Sequence, residues 1–342
     1  MFLPLGTRWS VDASRRGAGP DAVAGWAGAA LLLQVVVVYA TNAVLKFDHH
    51  VWPGGLAIQY VFELDRYTTL LGEALAGFPA LLTALTWAWL ALLVCSPLLL
   101  VLTGTRRAAL AALFAGMHLG MLATMRLGVF PLVSVAALVP FVQADVWDRL
   151  PLSFRGAGRR LDAALPNTGW RYPRVLARLR PLTSAVPAAF VLAVVVTNAV
   201  ALGFAPAPAG TPDRIEDPTW GMFAPFPPQD DGWYVAPARL DSGDRIDAIR
   251  QAPLRWDRPA DLRAVAPNER WRKHLWRVRS DSGTPLRGPY ARYLCQRWNR
   301  HHADGVDRVT LVYVEQPTSL DGPEPRTRVD LGTFECPRRL GD

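Results

Sequence analysis

Tyr39, Asn42, Lys46 and the adjacent His49 and His50 cluster at the end of a long apolar run, VVVVYATNAVLKFDHHVWPGG. They recur at i, i+3, i+7 and i+10 or i+11, so a continuing helix would carry them on one face. Lys46 is the most informative of them. Of 37 basic residues, only Lys46 and Lys273 are lysines. A desolvated lysine can give up its proton and act as a base, whereas an arginine stays charged. An ionisable side chain at the end of an apolar helix marks a functional site facing a cavity or another helix. The competing reading is an interfacial lysine that snorkels to lipid headgroups. Asp48, His49 and His50 have metal-binding chemistry, but neighbours on a helix point apart and no distant third ligand accompanies them. No metal is predicted.

His118 is the second candidate. It lies within an apolar stretch, with Met117, Met121 and Met125 beside it and Arg126 eight residues on. A histidine at that depth either bonds between helices or meets a quinone or lipid headgroup. Arg126 leans to the same side, where Asp48, Glu63, Asp65 or Glu73 are possible partners. His301 and His302 read as solvated. The chain has no glycine-rich phosphate loop, nucleophile elbow, CxxC or HExxH.

The elements that must position these residues are helices in a membrane. Residues up to about 205 are dominated by Leu, Ala, Val and Gly, and the remainder by Arg, Asp, Pro and Trp. The first part contains apolar blocks near the roughly 20 residues that cross a bilayer. Five spans are expected, at 22–45, 79–102, 108–125, 127–142 and 182–204, with an interfacial amphipathic helix or pair over 54–78. The fold class is therefore mainly α: a polytopic helical bundle over 1–205, followed by a small α+β domain over 206–342. Arginines before the first span, at 106–107 and across 149–180, all fall on one side of a five-span chain. The N-terminus is then cytoplasmic and the C-terminal domain extracytoplasmic, in a multi-pass cell-membrane protein. The net charge of +8 follows from that bias and calls for no nucleic-acid partner. The first 21 residues are polar and the run after them is too long for a cleaved signal.

In the tail, strands are expected at 233–240, 245–249, 308–315 and 328–335, and helices at 268–279 and 289–302. Trp220, Phe223, Phe226 and Trp233, set among prolines, suggest an aromatic segment packed on the domain or the bilayer. Cys295 and Cys336 would be bonded in an oxidising compartment. Cys95 would be a small packing residue within a span.

The stretch YATNAVLKFDHHVWPGGLAIQYVF resembles a signature of the HTTM family, the transmembrane domain shared with vitamin K-dependent gamma-carboxylase. MHLGMLATMRLGVFPLVSVAALVPF resembles a second segment of that family. WGMFAPFPPQDDGWY and YLCQRWNRHH are similar to the C-terminal region of its microbial members. The resemblance implies Lys46 as a base that deprotonates a reduced quinone of the vitamin K or menaquinone type. It places His118 at the family histidine; Tyr39, Asn42, His49, His50, Trp52 and Arg126 are the candidate residues for binding the quinol. The expected activity is carboxylase-like or quinol-oxidising. Family members usually have further spans before this segment, so a partner supplying them is an alternative expectation. Glutamate carboxylation does not follow from membership, since fold does not fix function. The rival expectation is a non-catalytic membrane-anchored interaction protein whose tail binds a partner.

Overall fold

The computed structural model describes residues 25–147, 149, 180–207, 210, 221–260, 262, 265–266 and 268–337. The arginines at 8, 15 and 16 and those from 155 to 178 lie outside them, as does Trp220. The helices are α1 (Trp26–Phe47), α2 (Ala57–Phe62), α3 (Leu70–Ala76), α4 (Pro79–Val94), α5 (Leu98–Val101), α6 (Gly104–Thr124), α7 (Phe130–Leu138), α8 (Ala144–Trp147), α9 (Arg180–Ala201), α10 (Glu269–Arg279) and α11 (Thr284–His301). The strands are β1 (Trp233–Val235), β2 (Pro237–Leu240), β3 (Arg245–Asp247), β4 (Ala252–Pro253), β5 (Val306–Glu315) and β6 (Thr327–Glu335). The chain forms two compact units: 1–56, 83–122 and 129–226 make the first, and 57–82, 123–128 and 227–342 the second.

The first unit is helical. Among the described residues, α1 and α6 are long and apolar enough to cross a membrane. At 1.5 Å per residue they reach about 30 Å, the thickness of the hydrocarbon layer. A third span arises if α3 and α4, bent by 108° at their junction, are taken as one. The five-span expectation is not met by this count. The block 79–102 breaks at residues 95–97, where Pro97 cannot donate to the helical ladder. Cys95, free and exposed, sits at that break. The block 127–142 gives a short helix running into a 3₁₀ turn, and α9 enters the count only through its portion Ala185–Ala201. Where α9 packs along α1, Thr41 donates to Asn198 Oδ1 at 3.0 Å.

The second unit contains the predicted interfacial segment, which is a pair of short helices, and the C-terminal domain. Thr69 caps α3 by accepting from the Gly72 amide, and its own amide donates to the Thr124 carbonyl. The domain is an antiparallel sheet. β6 lies on one edge of β5, and β1 and then β2 lie on the other, followed by β3 and β4. Between β1 and β2, Ala236 leaves the ladder, and the buried Asp247 carboxylate accepts from the amides of Ala236 and Ile249. Burial raises the Asp247 carboxyl above its ordinary range, and those two amides and Arg250 oppose the rise.

α11 covers the sheet through Tyr290, Ala291, Leu294 and Trp298. A disulfide joins Cys295 of α11 to Cys336 just beyond β6, closing 41 residues of chain. Replacing both cysteines with alanine is expected to destabilise this domain by about 2–4 kcal/mol, because the unfolded chain regains the freedom of that loop. Denaturant midpoints of the full chain, each measured without reductant, check it; equal midpoints would contradict it.

An ionic network ties the interfacial segment to the sheet. Arg279 donates to Asp230 at 2.5 Å and to Glu315 at 2.8 Å, and Tyr313 donates to Asp230 at 2.7 Å. Arg66 donates to the Asp230 carbonyl, and Arg258 bridges Asp65 and Asp231. The two adjacent aspartates titrate in opposite directions. Burial alone would raise Asp230, but the Tyr313 hydroxyl and the Arg66 and Arg279 guanidiniums outweigh it and hold the carboxyl below its usual range. Burial dominates at Asp231 and lifts it. A depressed folded pKa contributes stability above the unfolded value, near 4, and loses it as pH falls through the folded value. Asp231 acts with the opposite sign, losing its contribution as pH rises through its raised value. Asp230→Asn is therefore expected to cost about 1–3 kcal/mol at pH 7, with the gap to wild type closing below about pH 4. Unfolding curves at pH 7 and pH 3.5 read this directly; a gap of constant size would contradict it.

Candidate functional site around Lys46

α1 ends one residue after Lys46, where the amide of Asp48 closes on the Leu45 carbonyl. The following turn, ending in Gly54 and Gly55, brings Trp52 back toward the helix. Gly55 has φ of +77°, and a Cβ there would stand 2.7 Å from Thr83, so only glycine fits. Trp52 lies over the lysine, with Nζ 4.4 Å from the ring centroid.

Lys46 is 2 % exposed. It does not snorkel. Its ammonium donates to Asn42 Oδ1 at 2.9 Å and to the Met222 carbonyl at 2.8 Å. Among the described residues no carboxylate pairs with it. The charge is met by neutral oxygens, an indole face and the carbonyl end of α1, whose aligned dipoles favour a cation there. Residues Gly221–Phe226 form a strap over this site. The Trp52 indole donates to the Phe223 carbonyl at 2.8 Å, and the Phe226 ring sits 4.6 Å from His49. Phe223 holds φ of +54°, an uncommon conformation for a bulky side chain. Gly221 is closely approached: a Cβ would come 3.0 Å from the Ala224 carbonyl oxygen, which would have to give way to a larger residue.

Two helical turns earlier on α1, about 10 Å along the axis, Tyr39 shares a 2.9 Å hydrogen bond with His118 Nε2 of α6. Phe114 stacks on Tyr39, and Trp89 and Phe130 close around the imidazole. His118 Nδ1 is buried with no hydrogen-bond partner among the described residues.

Residues 1–147 match the HTTM domain. The chain matches no curated protein and no solved structure. The matched region contains Lys46, Asn42, Trp52, Tyr39 and His118, and the strap that closes over Lys46 comes from outside it.

Of the predicted site residues, the structure therefore groups Lys46 with Asn42 and Trp52, and Tyr39 with His118. The His49 and His50 rings lie 4.3 Å apart in the turn, tilted by 35° to each other. Arg126 belongs to the second compact unit, where its amide donates to the Tyr67 carbonyl, and no ion pair links it to Asp48, Glu63, Asp65 or Glu73. Sequence reading missed the strap. Met222 and Phe223 act through backbone oxygens, which leave no side-chain signature; the available signal was the aromatic and proline pattern of GMFAPF. It also missed Trp89 and Phe114, which in a long apolar run look like any lipid-facing aromatic.

Proposed function

We propose that the Lys46 face of the HTTM domain binds the headgroup of a reduced quinone or related isoprenoid lipid, and that the Lys46 amine takes a proton from it. The observation that carries this is the burial of the Lys46 amino group with no carboxylate partner among the described residues. Such a group is costly to keep, and a wholly structural site would be better served by an apolar side chain. The orphaned His118 Nδ1 supports the reading, since it fits a ligand hydroxyl or carbonyl. When bound, the quinol would supply an acidic hydroxyl and the electrons for reaction with oxygen. Asn42 and the Trp52 face hold the lysine against the ligand, and the ligand oxygen takes the place of the Met222 carbonyl as the strap moves aside. The aromatic wall of Trp89, Phe114 and Phe130 excludes water from the inner station.

Oxygen uptake by the full chain in nanodiscs on adding reduced menaquinone tests the reading. Uptake well above that of empty nanodiscs is expected; uptake equal to theirs defeats it.

A further inference from the structure

α10 carries a feature that the Lys46 site does not use. Its sequence, ERWRKHLWRVR, has five Arg or Lys residues and one acid, Glu269. Leu275 and Val278 are buried, and Arg270, Lys273, Trp276 and Arg277 are exposed. At 100° per residue those four fall within an arc of about 120°. Trp276 is 70 % exposed. One turn before it, Arg272 lies over the Tyr67 ring, 5.5 Å from its centroid. Tyr67 leads within four residues to Leu70 and Leu71, which are 79 % and 50 % exposed. Those leucines open the bent apolar pair α3 and α4. The cationic arc therefore adjoins, within one compact unit, a segment that leads into a candidate span.

We propose that the arc of Arg270, Lys273, Trp276 and Arg277 docks on the headgroup layer of anionic phospholipids. Tryptophan favours the zone where one end of the indole is apolar and the other is wet. Cations flanking it meet the phosphates, each strengthening attachment roughly fivefold near an anionic surface. An acidic protein surface would satisfy the cations alone. The lipid interface also accounts for the exposed indole and for the exposed leucines beside Tyr67. This docking is independent of any ligand at Lys46.

Lys273 supplies the probe, because the chain has only one other lysine. The full chain is placed in nanodiscs of phosphatidylglycerol or of phosphatidylcholine and treated with a neutral acetylating reagent, and modification of Lys273 is followed by peptide mass spectrometry. Acetylation is expected to be about tenfold slower in phosphatidylglycerol. The difference should vanish in 1 M salt, where screening acts within about 3 Å. It should also vanish in Trp276→Ser, an exposed substitution that leaves the core intact. Equal rates in the two lipids overturn the proposal. So does a slowing that survives Trp276→Ser, since surface charge alone would then explain it.

Discussion

In neutral detergent, an amine-reactive reagent is expected to modify Lys273 at least about 100-fold faster than Lys46, because Lys46 reacts only through local openings costing on the order of 3 kcal/mol. Lys273 is exposed on α10, whereas Lys46 is enclosed by Asn42, Trp52 and the Met222 carbonyl. The strap is the element that must open. Gly221→Val should loosen it, because a Cβ at Gly221 crowds the Ala224 carbonyl oxygen. The variant is expected to raise Lys46 modification about tenfold and leave Lys273 unchanged, a shift equal to ~1.4 kcal/mol of strap stability. Comparable rates at the two lysines of the wild type would show that Lys46 reaches solvent, and the closed site described here would be wrong.

Lys46→Arg is expected to lower quinol-dependent oxygen uptake by about 100-fold or more while the protein stays folded. A positioned general base contributes 10²–10⁴-fold to a rate, roughly 3–5 kcal/mol of barrier. Guanidinium keeps the charge and the donors, so the hydrogen bonds to Asn42 and Met222 have a replacement. It cannot accept a proton. A lysine whose role is only to bridge α1 and the strap would tolerate the change with little loss. Near-ultraviolet circular dichroism of the variant separates the two cases by showing whether the aromatic packing around Trp52 survives.

Much of the helical plan was legible because long apolar blocks have one ready explanation. α1 and α6 emerge within a few residues of the expected 22–45 and 108–125. The tail elements were also readable: α10 and β6 lie close to 268–279 and 328–335, where amphipathic spacing and alternation are strong. The count of five spans is not reproduced among the described residues where composition hides a break, as at Cys95–Pro97, because hydropathy averages across a kink that hydrogen bonding cannot. The face bearing Tyr39, Asn42 and Lys46 was visible from spacing alone. Its partners were not, because Met222 meets Lys46 across 176 residues through a backbone carbonyl. The network around Asp230 and Asp231 escaped for a related reason: two adjacent acids in QDDGW look solvated until Arg66, Arg258 and Arg279 come to them from distant parts of the chain.

The measurement that bears most directly on the role of Lys46 is oxygen uptake with reduced menaquinone in nanodiscs, wild type beside Lys46→Arg at matched folded protein. Turnover in the wild type that collapses in the variant is the predicted result. Equal turnover in both would contradict the assignment of Lys46 as the base, and no turnover in either would contradict the quinol reading itself.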